Sequence, residues 1–84
     1  MPPFDFTQAH KIIGERLRLI REERAKSITQ ASTEAGIAPK MLSKIEDGKA
    51  NIRILTLCKL CKVYNVSLEK LLEDFRPGPA QGRP

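Results

Sequence analysis

The sequence predicts an all-α domain of five short helices, and three observations carry that expectation. Apolar residues recur at spacings of three and four through the middle of the chain, the period of a helix that buries one stripe. No stretch alternates apolar and polar residues in the manner of a strand. Start signals at Ser27, Pro39 and Ser67, with stop signals at Gly36, Gly48 and Asn65, cut the pattern into short lengths.

The first segment runs from about Thr7 to Lys26, with Ala9, Ile13, Leu17 and Ile20 on one stripe. Gly14 lies inside it, which costs up to about 1 kcal/mol relative to Ala and marks either close packing or nothing. The second segment opens on Ser27-Ile28-Thr29-Gln30, a capping box with serine at the N-cap and glutamine three residues later. Gly36 ends it. Pro39 suits the first position of the third segment, whose Leu42 and Ile45 point inward and which Gly48 ends. Ala38 is a poor cap there; a hydroxyl would be worth about 1 kcal/mol more. The fourth segment, Ile54 to Tyr64, places Ile54, Leu57, Leu60, Cys61 and Tyr64 on one face, with the Tyr64 hydroxyl expected to reach water. The fifth opens at Ser67, with Val66 and Leu71 placed for a hydrophobic staple. Residues 1–6 read as a loose arm, 7–75 as the folded domain, and the Pro/Gly-rich 76–84 as a disordered tail.

Length and composition bound the partners. A chain of 84 residues fits one domain, and at that size only about 60% of the unfolded surface is buried, so the core is thin. The apolar excess of the fifth segment is either a dimer face or cover for the thin core; the dimer face is favoured, with Leu68, Leu72 and Phe75 as the expected interface. The formal net charge of +5 favours polyanion partners. Trp is lacking and aromatics are few, which weighs against single-strand and RNA binding, where bases need stacking platforms.

The informative stretch is Ser27 to Gly48: two short helices joined by a tight turn at Ala35-Gly36-Ile37, with Ile37 plugging the space between them. That is helix-turn-helix geometry. It would project Pro39, Lys40, Met41, Ser43 and Lys44 outward on a helix whose width matches the DNA major groove. Lys40 and Lys44 stand one turn apart and can donate to guanine O6 and N7 or to phosphate. Met41 and the Pro39 ring suit a thymine methyl. Lys49, Asn51 and Arg53 follow, as a phosphate clamp that fixes register.

From Ile13 to Leu72 the chain resembles the Cro/phage-repressor-type, or lambda-repressor-like, helix-turn-helix family. The carrying residues are IGERLRLIREER, SITQASTEAGIAPKMLSKIEDGK and NIRILTLCKLCKVYNVSLEKLL. The resemblance implies a compact five-helix DNA-binding domain, with Pro39, Lys40 and Lys44 at base edges and Ser27, Thr29, Lys49 and Arg53 at phosphates. It also implies a structural ion pair between Arg21 and Glu46. The chain departs from the family in having Ile28 where a glutamine is common, Ala31-Ser32 where Leu-Ala is usual, and Ala38 in place of a hydroxyl cap.

The expected function is therefore a sequence-specific regulator of transcription, in all expectation a repressor, that binds double-stranded DNA as a homodimer on a palindromic operator. The alternative is a protein-interaction module of the same fold, an antitoxin or a transcription-bridging factor, with weak or no DNA binding. No enzyme is expected, because the residues form no catalytic set and no phosphate-cradling glycine loop. No cofactor is expected either. Cys58-Lys59-Leu60-Cys61 is a C-x-x-C, but no second pair accompanies it and His10 is far away in sequence. It therefore reads as ordinary thiols on an amphipathic helix rather than a metal or redox site. Arg16, Arg18 and Arg24 read as solvated surface with Glu partners, and His10 as surface, the alternative being a backbone-phosphate contact at the start of the first helix. The cysteine usage, with no leader and no membrane span, points to the cytoplasm.

Overall fold

The computed structural model describes residues 6–73 of the 84. Residues 1–5 and 74–84 lie outside the described residues, and with them Phe75, the expected tail and nearly all of the expected arm. The described residues form α1 (Phe6–Glu23), α2 (Ile28–Ala35), α3 (Pro39–Glu46), α4 (Ile54–Tyr64) and α5 (Leu68–Leu71), with no strand among them. The architecture is the expected all-α arrangement of five helices.

Local chemistry sets the ends of these helices. The Ser27 hydroxyl accepts from the Gln30 N–H at 3.0 Å, and the Gln30 side chain accepts from the Ser27 N–H at 3.0 Å, so the capping box closes in both directions. Gly36 adopts φ +73°, and the next N–H, of Ile37, returns to the Ser32 carbonyl at 2.9 Å. Asn65 ends α4 in the same left-handed way, at φ 57°. Helix α1 stops at Glu23, short of the expected Lys26. Ala25 turns left-handed at φ 54°, and the Lys26 N–H bonds back to the Arg21 carbonyl at 3.1 Å. An alanine gives no sequence signal for such a turn.

The core gathers Leu17 from α1, Leu42 from α3, Leu60 and Tyr64 from α4 and Leu71 from α5, all fully buried. The fully enclosed residues of α2 are the small Ala31, Ser32 and Ala35, with Ile28 packed partly buried against the core. The Ser32 hydroxyl avoids an unsatisfied burial by donating to the Thr29 carbonyl at 3.1 Å. Ile54 departs from expectation: it is 64% exposed, because the first residue of α4 overhangs the core that Leu57 and Leu60 enter. The Tyr64 hydroxyl departs too. It is enclosed rather than wet, and has no hydrogen-bond partner among the described residues.

Gly14 has a packing role. A Cβ there would collide with the Ile45 carbonyl oxygen and come within 2.8 Å of the Glu46 carbonyl oxygen. Helix α1 thus lies backbone against backbone on the end of α3. Of the arginines expected on a solvated face with Glu partners, Arg18 reaches Glu22 at 3.7 Å and the exposed Arg24 reaches Glu23 at 3.4 Å. Arg16 donates to the Leu71 carbonyl at 2.7 Å and Arg24 to the Tyr64 carbonyl at 2.9 Å. Each supplies a donor and a positive charge to the carbonyl end of a distant helix.

Candidate nucleic-acid interface

Helix α3 is oriented from behind. Arg21 of α1 grips Glu46 in the last turn of α3 through two parallel bonds, Nε to Oε2 at 2.7 Å and Nη2 to Oε1 at 3.0 Å. The pair is largely out of solvent, with 12% of the Arg21 side chain exposed and 4% of the Glu46 side chain. The remaining Arg21 nitrogen donates to the Lys26 carbonyl at 2.9 Å, tying the turn before α2 to the same guanidinium. The bond to Glu46 raises the Arg21 pKa further, against the opposing effect of burial. With Gly14 beneath the same turn, α3 has little freedom to tilt.

The outward side of α3 carries the residues predicted to read bases. Pro39, Lys40, Met41, Ser43 and Lys44 are all exposed, while Leu42, Ile45 and Glu46 of the same helix are buried. Pro39 occupies the first turn, and Ala38 gives no side-chain cap, so the N–H groups there have no side-chain acceptor. The residues predicted at phosphates are also exposed: Ser27, Thr29, Lys49, Asn51 and Arg53. Ser27 and Thr29 lie at the start of α2, and Lys49 follows the left-handed Gly48 that ends α3. Arg53 stands at the N-cap of α4 without a capping bond, leaving its guanidinium uncommitted to its own helix.

Ion pairing among the described residues separates several basic residues from the others, and the unpaired ones include Lys11 on α1 and Lys59 and Lys62 on α4 as well as cations around α3. Arg18, Arg21, Arg24, Lys26 and Lys70 each have a carboxylate partner. Lys40, Lys44, Lys49 and Arg53 form no ion pair among the described residues, and all four are exposed. The cations around α3 are therefore not neutralised by the protein itself. A groove beside them, lined by Ile37, Met41, Ile52, Arg53 and Thr56, gives this side an apolar flank.

The other singled-out residues fall elsewhere. Leu68 and Leu72 pack partly buried against the protein's own core. Cys58 is exposed and Cys61 buried, both as free thiols, and burial, with the nearby Cys58 adding to it, pushes the Cys61 thiol pKa up. No group of three or more metal-ligating side chains occurs among the described residues. No helix among them is long and apolar enough to cross a membrane. Sequence reasoning missed the roles of Arg16 and Arg24, whose carbonyl partners are remote in sequence. Nothing local could have found them.

A helix-turn-helix family model, HTH_3, matches residues 17–71. The transcriptional repressor RghR of Bacillus subtilis is 35% identical over 60 residues, covering 70% of this chain and 44% of RghR. The regulator PuuR of Escherichia coli is 36% identical over 61 residues, covering 73% of this chain and 33% of PuuR. SinR of B. subtilis is 34% identical over 64 residues, covering 75% of this chain and 58% of SinR. The chain thus spans between a third and three-fifths of the length of these relatives, all named as regulators of transcription and none as an enzyme. Among solved structures, the restriction-modification controller C.AhdI of Aeromonas hydrophila superposes with TM-score 0.73 at 21% identity, covering 75% of this chain and 96% of C.AhdI. The clp gene regulator ClgR of Corynebacterium glutamicum superposes with TM-score 0.75 at 19% identity, covering 87% of this chain and 88% of ClgR. Both share the fold. Matched by the family model from Leu17 to Leu71 and built on this five-helix frame, the chain belongs to the helix-turn-helix family HTH_3.

Proposed function

We propose that this chain is a DNA-binding regulator of transcription, acting as a repressor, that inserts the first turns of α3 into the major groove of a duplex operator. The observation that carries the reading is the set of exposed, unpaired cations Lys40, Lys44, Lys49 and Arg53 around a helix held rigidly from behind. In this reading Pro39, Lys40, Met41, Ser43 and Lys44 meet base edges, and Ser27, Thr29, Lys49, Asn51 and Arg53 meet phosphates. Regulation of transcription is what the relatives are named for.

The functional unit is a homodimer on a palindromic operator, its half-sites about one helical turn apart. Leu68, Leu72 and Phe75 are its proposed interface. Ile54 and Leu55 add apolar surface on the first turn of α4, 64% and 63% exposed, next to the proposed phosphate clamp.

The decisive experiment selects bound duplexes from a random-sequence pool with the purified chain, then measures affinity for the winners. A two-fold symmetric consensus is expected, and Lys40→Glu with Lys44→Glu should abolish binding to it. Unchanged affinity in that double variant overturns the docking of α3. The apolar groove holding Met41 and Ile52 favours a second reading, a surface for a protein partner. That reading gains if the double variant keeps its function while Met41→Asp loses it.

A further inference from the structure

We infer that Lys11, on α1, is an additional phosphate contact, so that the duplex is held by α1 as well as by α3 and the segment after it. This rests on the duplex-binding reading above and adds to it a residue that no motif marks.

The geometry begins at Gly48. Its φ of +72° ends α3 and turns the chain so that the Lys49 N–H bonds back to the Lys44 carbonyl at 2.9 Å. A Cβ at Gly48 would come within 2.8 Å of both Cα and Cγ of Lys11. The backbone of α1 and the stem of Lys11 therefore lie directly on the residue that joins α3 to Lys49. Lys11 itself is exposed. Its stem packs on Gly48, the residue before Lys49, and its flexible end carries three ammonium donors.

Two acidic residues neighbour it, one along α1 and one beside the Gly48 contact. Glu15 is one turn further along α1, and Asp47 precedes Gly48; both are exposed. Neither forms an ion pair with Lys11, whereas Arg18 and Arg21 of the same helix are paired. Lys11 is thus exposed and without an ion pair among the described residues, as the cations around α3 and Lys59 and Lys62 of α4 are; what sets it apart from the α4 lysines is its contact with Gly48. Three lysines, Lys11, Lys44 and Lys49, come from two separate parts of the chain to the end of α3. That convergence suits a polyanion whose charges repeat along a line.

A purely structural role is also open to Lys11, since a cation near the carbonyl end of α3 favours that helix. The two roles differ in what they move. A structural role changes thermal stability alone, while a phosphate contact changes the salt dependence of binding. The test measures affinity of the full chain for a short mixed-sequence duplex across a salt series. Lys11→Gln keeps the stem to Cγ and removes the charge. It is expected to reduce the slope of log K against log salt by about 0.9, which corresponds to about a threefold smaller loss of affinity between about 50 and 200 mM salt. Lys49→Gln should do the same, and Lys70→Gln, on α5, should leave the slope unchanged. Lys11→Glu should weaken binding further than Lys11→Gln. A wild-type slope in Lys11→Gln, alongside a reduced slope in Lys49→Gln, overturns the assignment and leaves the duplex reading standing. Lack of duplex binding by the wild-type chain at low salt overturns both, so the two failures are distinguishable.

Discussion

Tyr64 shows how much one enclosed atom can reveal. Its ring is fully buried, its hydroxyl lacks a partner, and burial pushes its pKa up to about 12, with Glu46 adding to the effect. The native state then holds the phenolic proton between about pH 10 and pH 12, where the unfolded chain releases it. The associated stability, about 2–3 kcal/mol, is complete below pH 10 and is lost as pH rises through 12. The chain contains one tyrosine and no tryptophan, so phenolate absorbance reports this group alone. It should titrate near pH 12 in the folded protein and near pH 10 in urea. Tyr64→Phe removes an unsatisfied donor and should stabilise the fold by up to about 1 kcal/mol at neutral pH. A large loss in chemical denaturation would show that the hydroxyl has a partner.

Glu46 should behave oppositely. Replacing it with Ala strands the buried Arg21 charge and should cost about 3–5 kcal/mol by the same measurement. Replacing both partners with apolar residues of similar volume should cost far less.

At the scale of helices, the legible features were those with short-range chemistry. Ser27, Pro39 and Asn65 announce their caps in a few residues of sequence, and the structure places a helix end at each. The end of α1 was illegible because Ala25 adopts a conformation for which its side chain is unsuited. Ala25→Gly should therefore raise stability by about 0.5–1 kcal/mol, the relief of strain outweighing the added freedom of the unfolded chain. Gly14 was ambiguous in sequence, since only the crossing of α1 over α3 shows what it avoids. Gly14→Ala should cost about 1–3 kcal/mol despite the better helix propensity of alanine, because the carbonyls it meets are backbone and cannot rotate away. A rise in melting temperature would contradict that crossing. For Ile54, periodicity assigned the correct face but could not show that the first turn of α4 projects past the core. The outward residues of α3 were legible for a different reason. Their neighbours Leu42 and Ile45 had to go inward, which left Lys40, Ser43 and Lys44 outside.

Across the whole molecule, the two cysteines offer a probe of cooperative opening. Cys58 is exposed, whereas Cys61 is buried with a raised pKa. A disulfide reagent at pH 8 should label one thiol promptly and the second only at the rate at which the bundle opens. Two equally fast thiols would mean that α4 detaches far more readily than its buried contacts imply. Opening should itself be ordered by chain topology. Arg16 reaches across 55 residues to the last turn of α5, while α3 meets α1 and α2 over shorter spans. Closing a long loop is entropically costly, and little repays it until the far end arrives. In refolding, the amino-terminal helices should therefore assemble first and α5 last. A nascent chain leaving the ribosome would acquire α3 before the arginine latch had anything to fasten.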